Sequence, residues 1–428
     1  MTNKIIFLIA VLFLTQSKRG DCQFDFSTYA LHKVNLIDVS KKLIVKNQTL
    51  IIDAGRIAAI MDADTYSDHD SIQTLTFNGH YVAPGLIDAH VHLGTNPSDG
   101  DNLEITLDRL DYLLKNGVTT VRDMAGDARY LCYLSRQASL DEIPSPDIHF
   151  SALVAGQTFF REPRTRAAAQ GIPAGTAPWM RAIKADSDID KIIAEARGTG
   201  ATGIKIYADL DAGHIENIVQ AAHAQKMKVW AHSCVFPARP SEVCEAGVDV
   251  MSHATYLAWE GEEEIPSSAA NRHRKHEDFN FKDPSFASLI EKMRGKQTIL
   301  DATLCVYKRY FPDSTLYQYG VSLTRLAYEN EVKIGVGTDL ALSDFSAPVP
   351  LLQEMLALQM DVGMKPMEVL QAATLVNAAM IGEEHSIGSI EVGKKANLLI
   401  LAENPVEDLS HLKHPDVVIK NGKMFNTK

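Results

Sequence analysis

Residues 204–209 read IKIYAD. A lysine stands between two isoleucines in a stretch otherwise suited to burial, and lysine is seldom fully buried without a partner. Successive side chains of a strand point to opposite faces. Lys205 and Tyr207 therefore share one face, and Ile204 and Ile206 the other. In a barrel of parallel strands one face packs the surrounding helices, which suits the isoleucines, and Lys205 then points inward.

The flanking sequence repeats this style. Short β-rich runs separated by helix-like segments, as βα units require, occur at LIDAHVH (86–92), VTTVRDM (118–124), DIHFSAL (147–153) and GIKIYA (203–208). They continue at KVWAHS (228–233), VDVMSHA (248–254), TILDATL (298–304) and KIGVGTD (333–339). Eight strand–helix units within residues 84–382 predict an α/β fold, a (β/α)8 TIM barrel. Insertions are expected after the third strand (about 155–185) and the sixth (about 259–290). The chain ends read differently, as short strands with turns: ALHKVNLIDV (30–39), KLIVKNQTLIID (42–53) and AGRIAAI (54–60), then SIGSIEVGKKANLLILAE (386–403) and DVVIKNGKMF (416–425). Residues 23–83 and 383–428 are expected to build one small β-sandwich domain from both ends.

The 428 residues suffice for a large core, and 46% hydrophobic with 22% charged residues is ordinary for a soluble globular protein. A net charge of −12 argues against a nucleic-acid partner. Local basic clusters at 161–166 (REPRTR) and 272–275 (RHRK) are bounded by acidic or apolar sequence and read as solvated loops. MTNK, the apolar run IIFLIAVLFL and TQSKRGDCQ describe a signal peptide over residues 1–22, so export to a periplasmic or extracellular space is expected. The apolar run is too short to cross a bilayer as a mature helix. Arg19 and Asp21 fit a lipoprotein processing site poorly, which argues against a lipid anchor at Cys22. The five cysteines (22, 132, 234, 244, 305) form no CxxC pair, and whether Cys234 and Cys244 bridge is left open.

The polar residues fall where a barrel would use them. His90 and His92 close strand one, Lys205 lies in strand four, His232 ends strand five, His253 ends strand six and Asp339 ends strand eight. Catalysis in this fold occurs at the C-terminal ends of the strands. A lone histidine is more often structural than a ligand, but six residues of ligand type at the ends of five strands would be a poor coincidence. His90 and His92 share a face, so both imidazoles can grip one ion.

APGLIDAHVHLG (83–94) resembles the strand-one signature of the amidohydrolase superfamily, and IKIYAD, WAHS, SHA and VGTD resemble its later metal-site strands in the same order. IIDAGRIAAI (51–60) and IGSIEVGKKANLLIL (387–401) resemble its flanking β-sandwich. In binuclear members the strand-four lysine is carbamylated by CO2 and bridges two divalent ions. The resemblance implies that His90, His92 and Asp339 hold the first metal, His232 and His253 the second, and carbamylated Lys205 bridges them. Zinc is the first expectation, since imidazole and carboxylate suit it. A bridging hydroxide would attack an amide carbonyl polarised by one ion, with Asp339 as proton shuttle.

Within the superfamily the chain looks closest to the imidazolonepropionase-like and metal-dependent dipeptidase (prolidase-like) branch, so the expected substrate is a small molecule, a dipeptide or an N-acyl amino acid. Candidate substrate contacts are Tyr207, which shares the face of Lys205, Tyr256, Arg122 late in strand two, and Arg161, with Arg164 and Arg166 nearby in the strand-three insertion. An arginine there could pair with a substrate carboxylate. His273 and His276 sit in a charged insertion and read as part of a flap. Cyclic amide or imide, lactone and phosphoester hydrolysis by the same centre stay open, as do a mononuclear deaminase and a metal-free scaffold. The HxxE that deaminases carry after strand five is missing, since Ser233, Cys234 and Val235 follow His232. A Schiff-base lysine would leave four histidines and Asp339 without a role. The family frequently forms dimers or larger assemblies, and the chain's own oligomeric state stays open.

Overall fold

The structure, a computed structural model, describes residues 22–24, 27–67, 72–94, 101–269, 280, 283–312, 315–339 and 348–427. The leader, apart from the backbone of Cys22, and both His273 and His276 lie outside these residues.

All eight expected strands form. They are β1 (Leu86–Val91), β2 (Val118–Asp123), β3 (Asp147–Gly156), β4 (Gly203–Ile206), β5 (Lys228–His232), β6 (Val250–Ser252), β7 (Ile299–Asp301) and β8 (Ile334–Gly335). Each pairs in parallel with the next. The seam between β8 and β1 closes differently. Ala89 N–H donates to Val336 O (3.1 Å), and Asp339 N–H donates to His90 O (2.8 Å). The Asp88 carboxyl adds a side-chain stitch, accepting from the Thr338 hydroxyl at 2.9 Å. The strands are buried along almost their whole length, as a parallel sheet covered on both faces requires.

Helices return the chain between strands, and their starts are written in the sequence. Asn102, Asp188 and Asp211 each accept from a backbone N–H in the first turn of the helices Leu103–Lys115, Ile189–Gly198 and Ala212–Ala224. Leu110, Leu113 and Leu114 bury one face of the first against the barrel. The β3 insertion forms a 3-10 helix (Gln157–Arg161), a short helix (Pro163–Ala167) and a strand, Met180–Ile183, that pairs in parallel with the second half of β3. No helix among the described residues is long and apolar enough to cross a membrane.

Both chain ends contribute to one continuous mixed sheet. Leu398–Leu401 pairs antiparallel with Tyr81–Pro84, which in turn pairs in parallel with Thr28–Asp38. The expected hairpin at Gly55 joins Leu43–Asp53 to Arg56–Asp62. Leu399, Leu401, Val418 and Phe425 of this sheet belong to the barrel's own apolar core. Lys420 anchors the contact, its Nζ reaching Ala138 O at 2.7 Å and Asp147 Oδ1 at 3.0 Å. Cys234 and Cys244 are buried free thiols, not a disulfide.

Candidate active site

The barrel interior is layered, and each layer constrains the one above. Trp230 on β5 fills the lower layer, and its indole N–H donates to Met380 O at 2.8 Å. Gly203 on β4 makes room for it, because a Cβ there would lie 2.5 Å from the indole ring. Arg122 on β2 stacks over Trp230 at 4.6 Å and donates to Ala89 O and, at 3.3 Å, to Asp301 Oδ2. Above Arg122 lie Lys205, His90 and Asp301, all fully buried. Uppermost are His92, His232, His253 and Asp339, three of which line a cavity with Tyr207 and Tyr256.

The first expected ligand set converges. Ligand atoms of His90, His92 and Asp339 all lie within 4.8 Å of one another. His92 Nε2 is 3.0 Å and His90 Nε2 is 3.5 Å from Asp339 Oδ1, with His253 Nδ1 3.7 Å from the other oxygen. The second expected pair is adjacent, the rings of His232 and His253 being 4.7 Å apart and that of His90 5.1 Å from His253. Lys205 Nζ lies 5.5 Å from the Tyr207 ring, as their shared face requires. His253 (φ +72°) and Asp339 (φ +50°) adopt left-handed backbone conformations, strain of the kind that concentrates at functional sites.

Electrostatics follow from burial. Burial lowers the Lys205 pKa to about 7; Asp301 and Asp339 oppose this, and Arg122 adds to it. Burial likewise lowers His253 to about 3, so its imidazole is neutral and able to donate a lone pair. Asp339 behaves oppositely. Burial would raise it, but His90, the hydrogen bond from His92 and His253 hold it well below the carboxylate range.

Asp301, on β7, is the residue sequence reasoning missed. Its Oδ2 lies 2.7 Å from His90 Nδ1 and accepts from Ser252 Oγ at 2.9 Å. Burial would raise its pKa, but His90 and Arg122 keep it ionised. A carboxylate on Nδ1 fixes the tautomer that presents Nε2 to a metal. Thr303 Oγ1, 2.8 Å from His253 Nδ1, can orient that ring similarly. The signal was present in TILDATL, where Asp301 is the one charged residue of a buried strand.

Two of the expected substrate contacts lie away from this cavity. Arg122 is turned beneath the site, engaged by Trp230, Ala89 and Asp301, and does not line the cavity. Arg161 is not among the residues lining the cavity, whereas Arg164, itself partly exposed, and Glu162 are. Arg164 lies in the short helix that begins at Pro163, and its guanidinium lies 6.0 Å from the Tyr207 ring. Tyr207 and Tyr256 do line the cavity, which measures about 220 Å³ and is completed by Val306, Tyr307 and Phe311.

The donor set fits divalent ions. His90 Nε2 and Lys205 Nζ are buried with no hydrogen-bond partner among the described residues, and buried polar atoms rarely go unsatisfied.

Comparison with known proteins agrees with this geometry. An imidazolonepropionase from Geobacillus sp. (strain WCH70) is 38% identical over 112 residues, 24% of this chain and 26% of the relative. The chain thus spans about a quarter of that protein's length in the match. An imidazolonepropionase from Fusobacterium nucleatum subsp. nucleatum is 21% identical over 426 residues, 92% of this chain and 96% of the relative. Among solved structures, an Xaa-Pro dipeptidase with bound methionine superposes with a TM-score of 0.73 at 22% identity, covering 94% of this chain and 100% of the other. The amidohydrolase family model matches residues 81–425, from the strand before β1 to the end of the mixed sheet; the chain belongs to the amidohydrolase family.

Proposed function

We propose that this chain is a metal-dependent hydrolase of carbon–nitrogen bonds that acts on small amides with a free carboxylate, dipeptides foremost. The observation that carries the reading is the clustering of His90, His92, Lys205, His232, His253 and Asp339 in the barrel, where His232, His253 and Asp339 line the cavity and the buried Lys205 Nζ has no hydrogen-bond partner among the described residues. His90, His92 and Asp339 would hold one divalent ion, and His232 and His253 a second, with carbamylated Lys205 between. Zinc suits these donors. Ions bound there would supply nucleophilic water at neutral pH and polarise the scissile carbonyl.

The chain's own residues account for the remainder. The Lys205 amine, whose neutral form burial favours, forms a bond to the carbon of CO2 and loses a proton, leaving an anionic carbamate. Asp339, held ionised, accepts a proton from the attacking water and passes it to the leaving amine. Arg164 pairs with the substrate carboxylate, and Tyr256, Tyr307 and Phe311 exclude water around the bond being cleaved. Likeness to an Xaa-Pro dipeptidase makes proline-terminated dipeptides the first substrates to assay.

Zinc-loaded protein is expected to hydrolyse L-leucyl-L-proline within a panel of dipeptides, N-acyl amino acids, cyclic imides and lactones. Turnover confined to imides or lactones would overturn the substrate class. Arg164→Ala should raise KM for the dipeptide about 10- to 100-fold, the usual worth of a charge-assisted pair. L-leucyl-L-prolinamide, which lacks the carboxylate, should be a poor substrate and indifferent to that change. Equal use of acid and amide would remove Arg164 from substrate recognition.

Asp301→Asn should weaken zinc affinity about 10- to 100-fold, because the partner that orients His90 is lost. Competition with a chelator measures this, and an unchanged affinity would exclude the orienting role.

A further inference from the structure

IKIYAD ends in Asp209, and the structure gives that residue an unusual set of neighbours. One carboxylate oxygen accepts from the hydroxyl of Thr158, in the β3 insertion. The other accepts from the Ala269 N–H, in the excursion after β6, at 2.8 Å. The Asp209 N–H donates to Val235 O, just beyond β5, at 2.7 Å. The backbone there is left-handed (φ +61°), a conformation aspartate and asparagine tolerate better than most residues. The approach to the insertion is close, since a Cβ on Gly156 would lie 1.9 Å from the Asp209 carbonyl oxygen.

What Thr158 carries makes this clasp relevant to the cavity. Phe159, the next residue, places its ring 5.0 Å from Tyr207. The same short segment then continues into Glu162 and Arg164 at the cavity wall. We propose that Asp209 is a positioning residue, its carboxylate clasping the β3 and β6 insertions to the end of β4 and so holding Arg164 where it meets the substrate carboxylate. The proposal rests on the reading of Arg164 given above.

The test combines kinetics with hydrogen exchange on zinc-loaded protein. Asp209→Ala should raise KM for L-leucyl-L-proline about tenfold and leave kcat within about twofold, as expected when a positioning contact to a charged group is lost. Alanine is strained at a left-handed position, so Thr158→Val, at an exposed site, is the second variant; it removes one arm of the clasp and should raise KM about threefold. Asp209→Asn should behave like the parent, because its oxygen can accept from Ala269 while its amide donates to Thr158 Oγ1. In an Arg164→Ala background, Asp209→Ala should add nothing further to KM. Backbone amides of residues 157–168 should exchange faster in Asp209→Ala and Thr158→Val, with those of β1 and β5 unchanged. Additive KM effects, an asparagine variant as impaired as alanine, or unaltered exchange at 157–168 would each overturn the clasp. If the parent protein cleaves no dipeptide, the functional reading fails on its own, and the exchange data still decide whether Asp209 holds the insertion.

Discussion

Lys205→Met is expected to fold and to lose about a thousandfold or more in kcat/KM, the several kcal/mol that a metal centre supplies to the transition state. The folding half of that expectation comes from the structure. The Lys205 side chain is fully buried and its Nζ has no hydrogen-bond partner among the described residues. Burial and the neighbouring Arg122 disfavour a protonated Lys205 in this dry interior, and Asp301 and Asp339 oppose them. Methionine keeps most of the volume and removes an amine with no hydrogen-bond partner among the described residues, so the metal-free variant should unfold at a temperature no lower than the metal-free parent. The catalytic half comes from what is lost with the nitrogen. Without it no carbamate forms, and zinc content should fall from about two ions per chain to about one or fewer. Reconstitution in CO2-depleted buffer separates the causes. Parent apoprotein should regain activity only with added bicarbonate, whereas the variant should ignore it. Parent protein that assembles equally well without a CO2 source would exclude the carbamate.

Period-two alternation made much of this site legible. It paired His90 with His92 and Lys205 with Tyr207, and both pairs do share a face. It also turned Lys205 inward, and the residue is fully buried in the barrel. Alternation gives a facing, however, and not a depth. Arg122 shares the interior with the histidines yet lies a layer lower, because Trp230 offers its ring face and Asp301 its carboxylate there. Asp301 was passed over for a related reason. Its importance comes from His90, 211 positions away, and nothing local in TILDATL announces that partner. The insertions were harder again. Arg161, Arg164 and Arg166 look alike in REPRTR, and which of them lines the cavity, Arg164, is seen only in the folded insertion.

Asp339→Asn tests the proton chemistry separately from the assembly of the site. Asparagine keeps the size of the side chain and one carbonyl oxygen, so zinc should still bind when supplied in excess. The backbone hydrogen bond from residue 339 to His90 O does not depend on the side chain, and asparagine accepts the left-handed conformation found there. What disappears is a carboxylate that His90, His92 and His253 hold ionised against the effect of burial. An amide oxygen cannot take a proton from water at neutral pH, nor return one to the departing amine. kcat should therefore fall about 10²- to 10⁴-fold, the range associated with loss of a general acid–base group, while KM changes little because Arg164 is untouched. A weaker leaving-group demand should narrow the gap, so the deficit should be smaller for L-leucyl-p-nitroanilide than for L-leucyl-L-proline, provided the anilide is turned over by the parent. A zinc-replete Asp339→Asn protein with parental kcat would place the shuttle on another residue and leave Asp339 as a metal ligand alone.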